Sequence, residues 1–143
     1  MDLEELAKTL PNGFHDAELR ALSLDYLNRK VQLDLDVWIG EMDPPTEREL
    51  YRHGRLVLEN VSYLVIEPPT SDSGFLDRSA LRIDIGPGQP KQSHSAIPEP
   101  PSGSFLAWVY LGEVNSFLLC AAESASLEWI GVTENRRPSE DAE

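Results

Sequence analysis

Residues 13–19 read Gly-Phe-His-Asp-Ala-Glu-Leu, and a run of alternating apolar and polar residues from Ala21 to Ile39 follows them. Strict alternation places one set of side chains on each face of a β-sheet. A turn-former and charged residues at 27–30 divide the run into two arms, which predicts a β-hairpin. One face, Tyr26 included, is apolar and is expected to pack on a core, and the opposite face is expected to meet water.

Three aspartates, Asp25, Asp34 and Asp36, lie on the face that is expected to meet water. Asp34 and Asp36 are two residues apart and therefore on the same side of a strand, whereas the place of Asp25 depends on hairpin register. Together they form a candidate docking surface for a basic partner, or a weak cation site. The alternative is a solvated face that binds nothing, which is common for charged residues.

The composition is that of a globular domain with an unusual charge. The chain has 143 residues, of which 41% are hydrophobic and 26% charged, and this length suits a single domain. Twenty-five acidic residues against 12 basic ones give a net charge of −13. Because such a surface repels phosphates and anionic lipid heads, nucleic-acid and membrane-surface binding are disfavoured. A basic protein partner is favoured, and the alternative is that the charge only keeps the domain in solution.

The sequence also bears on compartment and redox state. The single cysteine, Cys120, excludes an intrachain disulfide and lies in an apolar run that predicts a buried thiol. No basic segment precedes an apolar stretch near Met1, so no signal peptide is expected. No run approaches the roughly 20 apolar residues of a membrane span. We therefore expect a cytoplasmic protein.

The rest of the chain predicts one β-rich domain over residues 1–133. Apolar spacing over residues 2–10 predicts a short amphipathic helix, capped by Asp2 with Glu5. Further strands are predicted at 55–67, with a β-bulge near Asn60, at 81–85, and as a three-stranded meander over 105–132. We expect a mainly β fold, with α+β as the alternative. Its antiparallel sheet of about six strands would be curled or barrel-like, or else a two-sheet sandwich.

Two segments are expected to lie outside this packed framework. Residues 86–104 hold five of the eleven prolines and three of the nine glycines, which predicts a long mobile excursion from the domain. Residues 134–143 form a charged tail that is expected to be disordered.

The group His15, Asp16 and Glu18 is the densest set of ionisable residues beside a turn. One interpretation is a metal or acid–base site, completed by His53 or His94, because histidine and carboxylates ligate several divalent metals. No second histidine follows at a fixed local spacing, as it does in a His-Glu-x-x-His helix.

The interpretation that we prefer for this motif is a structural corner. Phe14 and Leu19 would anchor it in the core, Asp16 would accept backbone hydrogen bonds, and a local hydrogen bond would hold His15. Nucleophilic catalysis has no support, because the chain lacks a Gly-x-Ser-x-Gly elbow and Cys120 lies in an apolar run. We therefore assign no catalytic residue, metal or cofactor from the sequence.

The segment Phe14–Leu19, followed by a hairpin and a later aromatic strand, resembles a pattern of small bacterial domains of unknown function. Some of these are grouped with immunity proteins of polymorphic-toxin systems. The resemblance covers the N-terminal third best and extends more weakly over 115–129, while residues 86–104 depart from the compact pattern. It implies a non-enzymatic protein that binds and neutralises a toxin. The alternative from the residues is a small metal-dependent enzyme centred on His15, Asp16 and Glu18.

Overall fold

The computed structural model describes residues 1–40, 49–70, 81–90 and 96–136. Over these ranges the chain forms one open antiparallel sheet of eight strands and one short helix. The elements in chain order are α1 (Leu3–Lys8), β1 (Ala17–Asp25), β2 (Lys30–Trp38), β3 (Glu49–Glu59), β4 (Tyr63–Ile66), β5 (Leu81–Pro87), β6 (Phe105–Leu111), β7 (Ser116–Ala122) and β8 (Ser124–Arg136). Neighbouring strands follow the order β4-β7-β6-β5-β1-β2-β3-β8. The mainly β prediction is confirmed, but the strand count is higher than predicted.

The N-terminal helix forms as its sequence pattern predicts. The Asp2 side chain accepts a hydrogen bond from the backbone N–H of Glu5 at 2.8 Å, which satisfies one donor of the first turn. Leu3 and Leu6 are buried in the core on one side of the helix. Because the helix is short, this burial stabilises it more than intrinsic helix propensity does.

The hairpin of β1 and β2 is also confirmed. Leu22 pairs with Leu33 and Leu24 with Val31, so the apolar residues of both arms share the inner face. Tyr26 is an exception to the predicted pattern. It is 83% exposed because the chain already turns after Asp25, at residues 26–29.

A one-residue link and a hydrogen bond bring strands from the two ends of the open sheet close together at Glu123. Glu123 alone connects β7, which lies near one end of the strand order, to β8 at the other end. One residue spans only about 7 Å between its neighbours, so the two ends lie side by side there. The N–H of Glu123 donates to the carbonyl of Glu59 in β3 at 3.0 Å. The predicted three-stranded meander is therefore wrong, because β8 pairs with β3 and only β6 and β7 form a hairpin.

The chain breaks at Asn60, where the sequence predicted a bulge. Asn60 has a φ of 53°, which ends β3, and the next strand, β4, pairs with β7 at the far edge of the sheet. The register shifts instead between Leu19 and Ala21 of β1, where Arg20 is extra, and between Arg52 and Gly54 of β3, where the extra residues lie on the facing strand β8. The shift in apolar alternation near Asn60 therefore marks the end of one strand and the start of the next, not a bulge within a single strand.

The apolar core takes side chains from both halves of the sheet and from the helix. Every residue of β7 is buried, as its apolar sequence predicts for a strand covered on both faces. Cys120 lies in this strand, and burial raises the pKa of its thiol to about 12. The void enclosed by the core side chains measures about 10 Å³ and is lined by apolar groups, so it offers no ligand site.

The structure describes parts of the two segments, 86–104 and 134–143, that were predicted to lie outside the packed framework. Strand β8 continues through Arg136, so residues 134–136 belong to the sheet and the predicted disorder is wrong for them. Residues 137–143 and 91–95 lie outside the described ranges. Residues 96–104 form no helix or strand, and the hydroxyl of Tyr63 donates to the carbonyl of Pro98 at 2.8 Å. No helix in the described part of the chain is long and apolar enough to cross a membrane.

Candidate functional site

The corner before β1 is built around a buried phenylalanine. Phe14 is 2% exposed, and the chain turns around it through a left-handed Gly13 and a left-handed Asp16, each with a φ of 55°. The Asn12 amide donates to the carbonyls of Trp38 and Gly40, at 3.2 and 2.7 Å, and so ties the corner to the end of β2. The prediction that Phe14 anchors this motif in the core is confirmed.

The corner brings a histidine and two aspartates together. His15 Nδ1 lies 2.8 Å from Asp84 Oδ1, and His15 Nε2 lies 3.4 Å from Asp16 Oδ2. One potential metal-ligating atom from each of the three residues lies within 4.8 Å of the other two. Asp84 reaches this position because β5 runs antiparallel to β1 with Ala17 opposite Ile83. The residue after Ile83 consequently lies beside the residue before Ala17.

The structure therefore assembles only part of the predicted ionisable site. Glu18 is not a member of the cluster; it lies on β1 opposite Asp36 and Arg82. His53 is on β3, also opposite Asp36, and its Nε2 is a buried atom without a hydrogen-bond partner among the described residues. His94 lies outside the described ranges.

The hydrogen bonds of the corner also differ from those predicted. Over the described ranges no backbone N–H donates to the Asp16 side chain; instead the N–H of Asp16 donates to Asp84 Oδ1 at 3.4 Å. His15 is held by Asp84, which is 69 positions away in sequence, rather than by a local group. The corner is closed by a strand, β5, that the local sequence does not reveal.

The predicted acidic docking surface on the hairpin does not form. Asp36 is 3% exposed and forms an ion pair with Arg20, so the prediction that it faces water is wrong. Asp34 is half-buried and accepts a hydrogen bond from Arg55 Nε at 3.0 Å. Both charges are thus matched by cations on the same sheet.

The third predicted residue, Asp25, is exposed but remote from the other two. Lys30 lies opposite Asp25 and is four residues from Asp34, about 13 Å along the strand. The Asp25 carboxylate accepts hydrogen bonds from the Asn28 side chain and from the backbone N–H groups of Leu27 and Asn28. The Asn28 side chain makes the largest contribution to holding the pKa of Asp25 below its usual value. The residue serves the hairpin turn.

An aromatic cluster lies beside the histidine corner. Trp108 and Tyr110 on β6 flank Phe117 on β7, with ring centroids 6.2 and 4.9 Å from that of Phe117. The Trp108 ring lies over Gly86, and its Nε1 donates to the carbonyl of Pro87 at 3.1 Å. These contacts fix the orientation of the tryptophan at the edge of an open pocket.

Two adjoining pockets connect the corner to this cluster, and both are lined by Asp84 and Tyr110. The larger has a volume of about 350 Å³, and its other lining residues are Pro90, Trp108, Asn115 and Phe117. The smaller has a volume of about 270 Å³, and its other lining residues are Asp16, Arg82, Ile83, Gly112 and Glu113. We call the surface formed by Asp16, Asp84, Glu113, Trp108, Tyr110 and Phe117 the acidic–aromatic face.

Sequence reasoning missed most of this face. Asp84 occupies a polar position between Ile83 and Ile85 in a predicted strand, which indicates an outward side chain but no neighbour. Trp108 lies in the predicted strands of 105–132, where nothing in the local sequence distinguishes a tryptophan beside a pocket from one packed in the core. Pairing of β5 with both β1 and β6 creates the site.

No family model, no curated protein and no solved structure matches the chain. The functional argument accordingly starts from the geometry of the acidic–aromatic face.

Proposed function

We propose that this chain is a non-enzymatic binding domain that docks a basic protein partner on the acidic–aromatic face. The observation that carries the proposal is that Asp84 and Tyr110 line both pockets, so carboxylates and aromatic rings share one concave surface. In the biological setting that the sequence resemblance suggests, the partner is a toxin and the domain is its immunity protein.

The chemistry of the face suits an arginine or lysine side chain from the partner. Carboxylates form charge-assisted hydrogen bonds with guanidinium groups, and tryptophan and tyrosine rings attract cations to their faces. Asp16, Asp84 and Glu113 line the face, and the guanidinium of Arg82 lies at its border. Trp108 and Tyr110 lie beside these carboxylates, and tryptophan and tyrosine are enriched among energetically important interface residues.

The hairpin surface is a weaker candidate for the docking site, because its carboxylates are already paired with cations of the same chain. Asp36 is paired with Arg20, Asp34 with Arg55, and Glu59 lies 3.9 Å from Lys30. Binding a cationic partner there would have to displace existing cations. The net charge of −13 still favours a basic partner by raising the rate of encounter.

The enzymatic alternative required His15, Asp16 and Glu18 to converge in one pocket. Glu18 lies outside the cluster, and the other two residues meet Asp84 instead. The geometry therefore supports binding better than acid–base catalysis by that trio.

The proposal is tested by panning a phage library of random peptides against the immobilised protein. Selected peptides should be enriched in arginine and lysine. Their binding should weaken when Asp16→Asn and Asp84→Asn are combined, because these changes remove two charges from the face. The matched control combines Asp25→Asn with Glu123→Gln, which removes two exposed charges elsewhere. Equal weakening by both pairs, or selection of peptides without basic residues, would contradict the proposal.

A further inference from the structure

We infer that His15 and Asp16 form a binding site for a zinc-type divalent cation, with Asp84 orienting the imidazole as an outer partner. This inference goes beyond the docking function and does not depend on it. It rests on two separate geometric features, one at each nitrogen of the His15 ring.

The first feature is the hydrogen bond at Nδ1. An ionised carboxylate only accepts hydrogen bonds, so the 2.8 Å contact with Asp84 Oδ1 makes His15 Nδ1 the donor. In a neutral ring the lone pair then lies on Nε2. Histidines that bind metals commonly carry such a carboxylate on the opposite nitrogen, which fixes the tautomer and the ring orientation.

The second feature is the distance at Nε2. The Nε2 atom of His15 lies 3.4 Å from Oδ2 of Asp16. Two ligand atoms bound about 2.0–2.2 Å from a tetrahedral zinc ion lie about 3.3 Å apart, so the pair has the spacing of a chelate. With the proton on Nδ1, two acceptor atoms face each other and a cation between them is favoured.

The surroundings leave space for the remaining ligands. The side chains of His15 and Asp16 are 54% and 37% exposed, and Asp16 and Asp84 both line the open pocket of about 270 Å³. Water, or a side chain of a bound partner, would complete the coordination. One imidazole with one carboxylate suits zinc, cobalt or nickel better than magnesium or calcium, which prefer oxygen ligands throughout.

The test is a titration with Co²⁺ alone as a paramagnetic probe. The readout is the broadening of the NMR signals of the three histidine rings. The signals of His15 should broaden at lower Co²⁺ concentration than those of His53 and His94. The broadening of the His15 signals should be lost in Asp16→Asn. In Asp84→Asn, about 10–100-fold more Co²⁺ should be needed, the effect expected for removal of an outer partner. Asp25→Asn, which removes an exposed carboxylate of the hairpin turn, should leave the titration unchanged.

Three results would overturn the inference. One is broadening of all three histidines over the same concentration range, and another is a response of His15 that survives Asp16→Asn. The third is an absence of any response at His15, which would mean that a proton alone occupies the space between Nε2 and Asp16. Peptide binding retained in His15→Ala, together with loss of Co²⁺ binding, would support a cation site independent of docking.

Discussion

Arg20 donates a hydrogen bond from Nε to the carboxylate of Asp36 at 2.6 Å. Arg20 is the extra residue of the bulge in β1, so its side chain is redirected over the outer face of β2. Asp36 is almost fully buried there, and Arg20 is a charge partner of its carboxylate. A bulge in the first strand therefore allows a carboxylate to be buried in the second.

Removal of this cation should destabilise the fold more than removal of a cation whose carboxylate partner is less buried. Arg20→Ala should lower the free energy of unfolding by about 1–3 kcal/mol, since it removes a cation that is paired with a buried carboxylate. Arg55→Ala, which frees the half-buried Asp34, should cost less than about 1 kcal/mol. Urea unfolding of both variants provides the comparison. Similar losses in the two would mean that Asp36 is solvated.

Gly86 should be required for the position of Trp108. A Cβ atom at residue 86 would overlap the Trp108 ring, so Gly86→Ala should displace the ring and cost about 1–3 kcal/mol. Gly131→Ala is the matched control, because its Cβ would lie at an ordinary 3.5 Å from that of His53. Thermal melts and the NMR signal of the Trp108 indole N–H report both effects. An unchanged indole signal in Gly86→Ala would contradict the described packing.

The corner before β1 should owe its stability to Phe14 rather than to His15. Phe14→Ala removes a buried ring and should cost about 3–5 kcal/mol. His15→Ala removes a half-exposed side chain with one hydrogen bond and should cost at most about 1 kcal/mol. Denaturant unfolding measures both losses. A larger loss for His15→Ala would show that the ionisable cluster, and not the phenylalanine, holds the corner.

Cys120 should be unreactive in the folded protein. Burial raises the pKa of its thiol from 9.0 to about 12, so the reactive thiolate is scarce at mildly alkaline pH. Alkylation by iodoacetamide should therefore be much slower in buffer than in urea. Above about pH 9 the unfolded chain releases a proton that the folded chain retains, so the free energy of unfolding should fall as pH rises. Cys120→Ala should reduce that fall, and equal alkylation rates in buffer and urea would contradict burial of the thiol.

Patterns within short stretches of the sequence predicted the hairpin and the helix, because neighbouring residues determine both. The alternation through Val31, Leu33 and Leu35 fixed the inner face of β2, and Asp2 fixed the start of the helix. Strand order could not be predicted in this way. The one-residue link at Glu123 resembles a hairpin turn in sequence, yet it joins β7, the second strand of the order, to β8, the last.

The acidic–aromatic face could not be predicted for the same reason. Asp84 meets His15 only because β5 pairs with β1, a contact between residues 69 positions apart. Asp36 was predicted to be exposed because alternation identifies the outer face of a strand but not what covers it. Arg20 lies over Asp36 because of the bulge in β1, and the sequence pattern does not predict that bulge.

The most direct test of the docking proposal is the association rate of a selected basic peptide with the immobilised domain at low and high salt. We expect a rate that falls steeply as salt rises, since ions screen exposed charges over about 8 Å at physiological ionic strength. The combination of Asp16→Asn with Asp84→Asn should slow association, and that of Asp25→Asn with Glu123→Gln should slow it less. A rate indifferent to salt, or equally affected by both pairs, would contradict docking on the acidic–aromatic face.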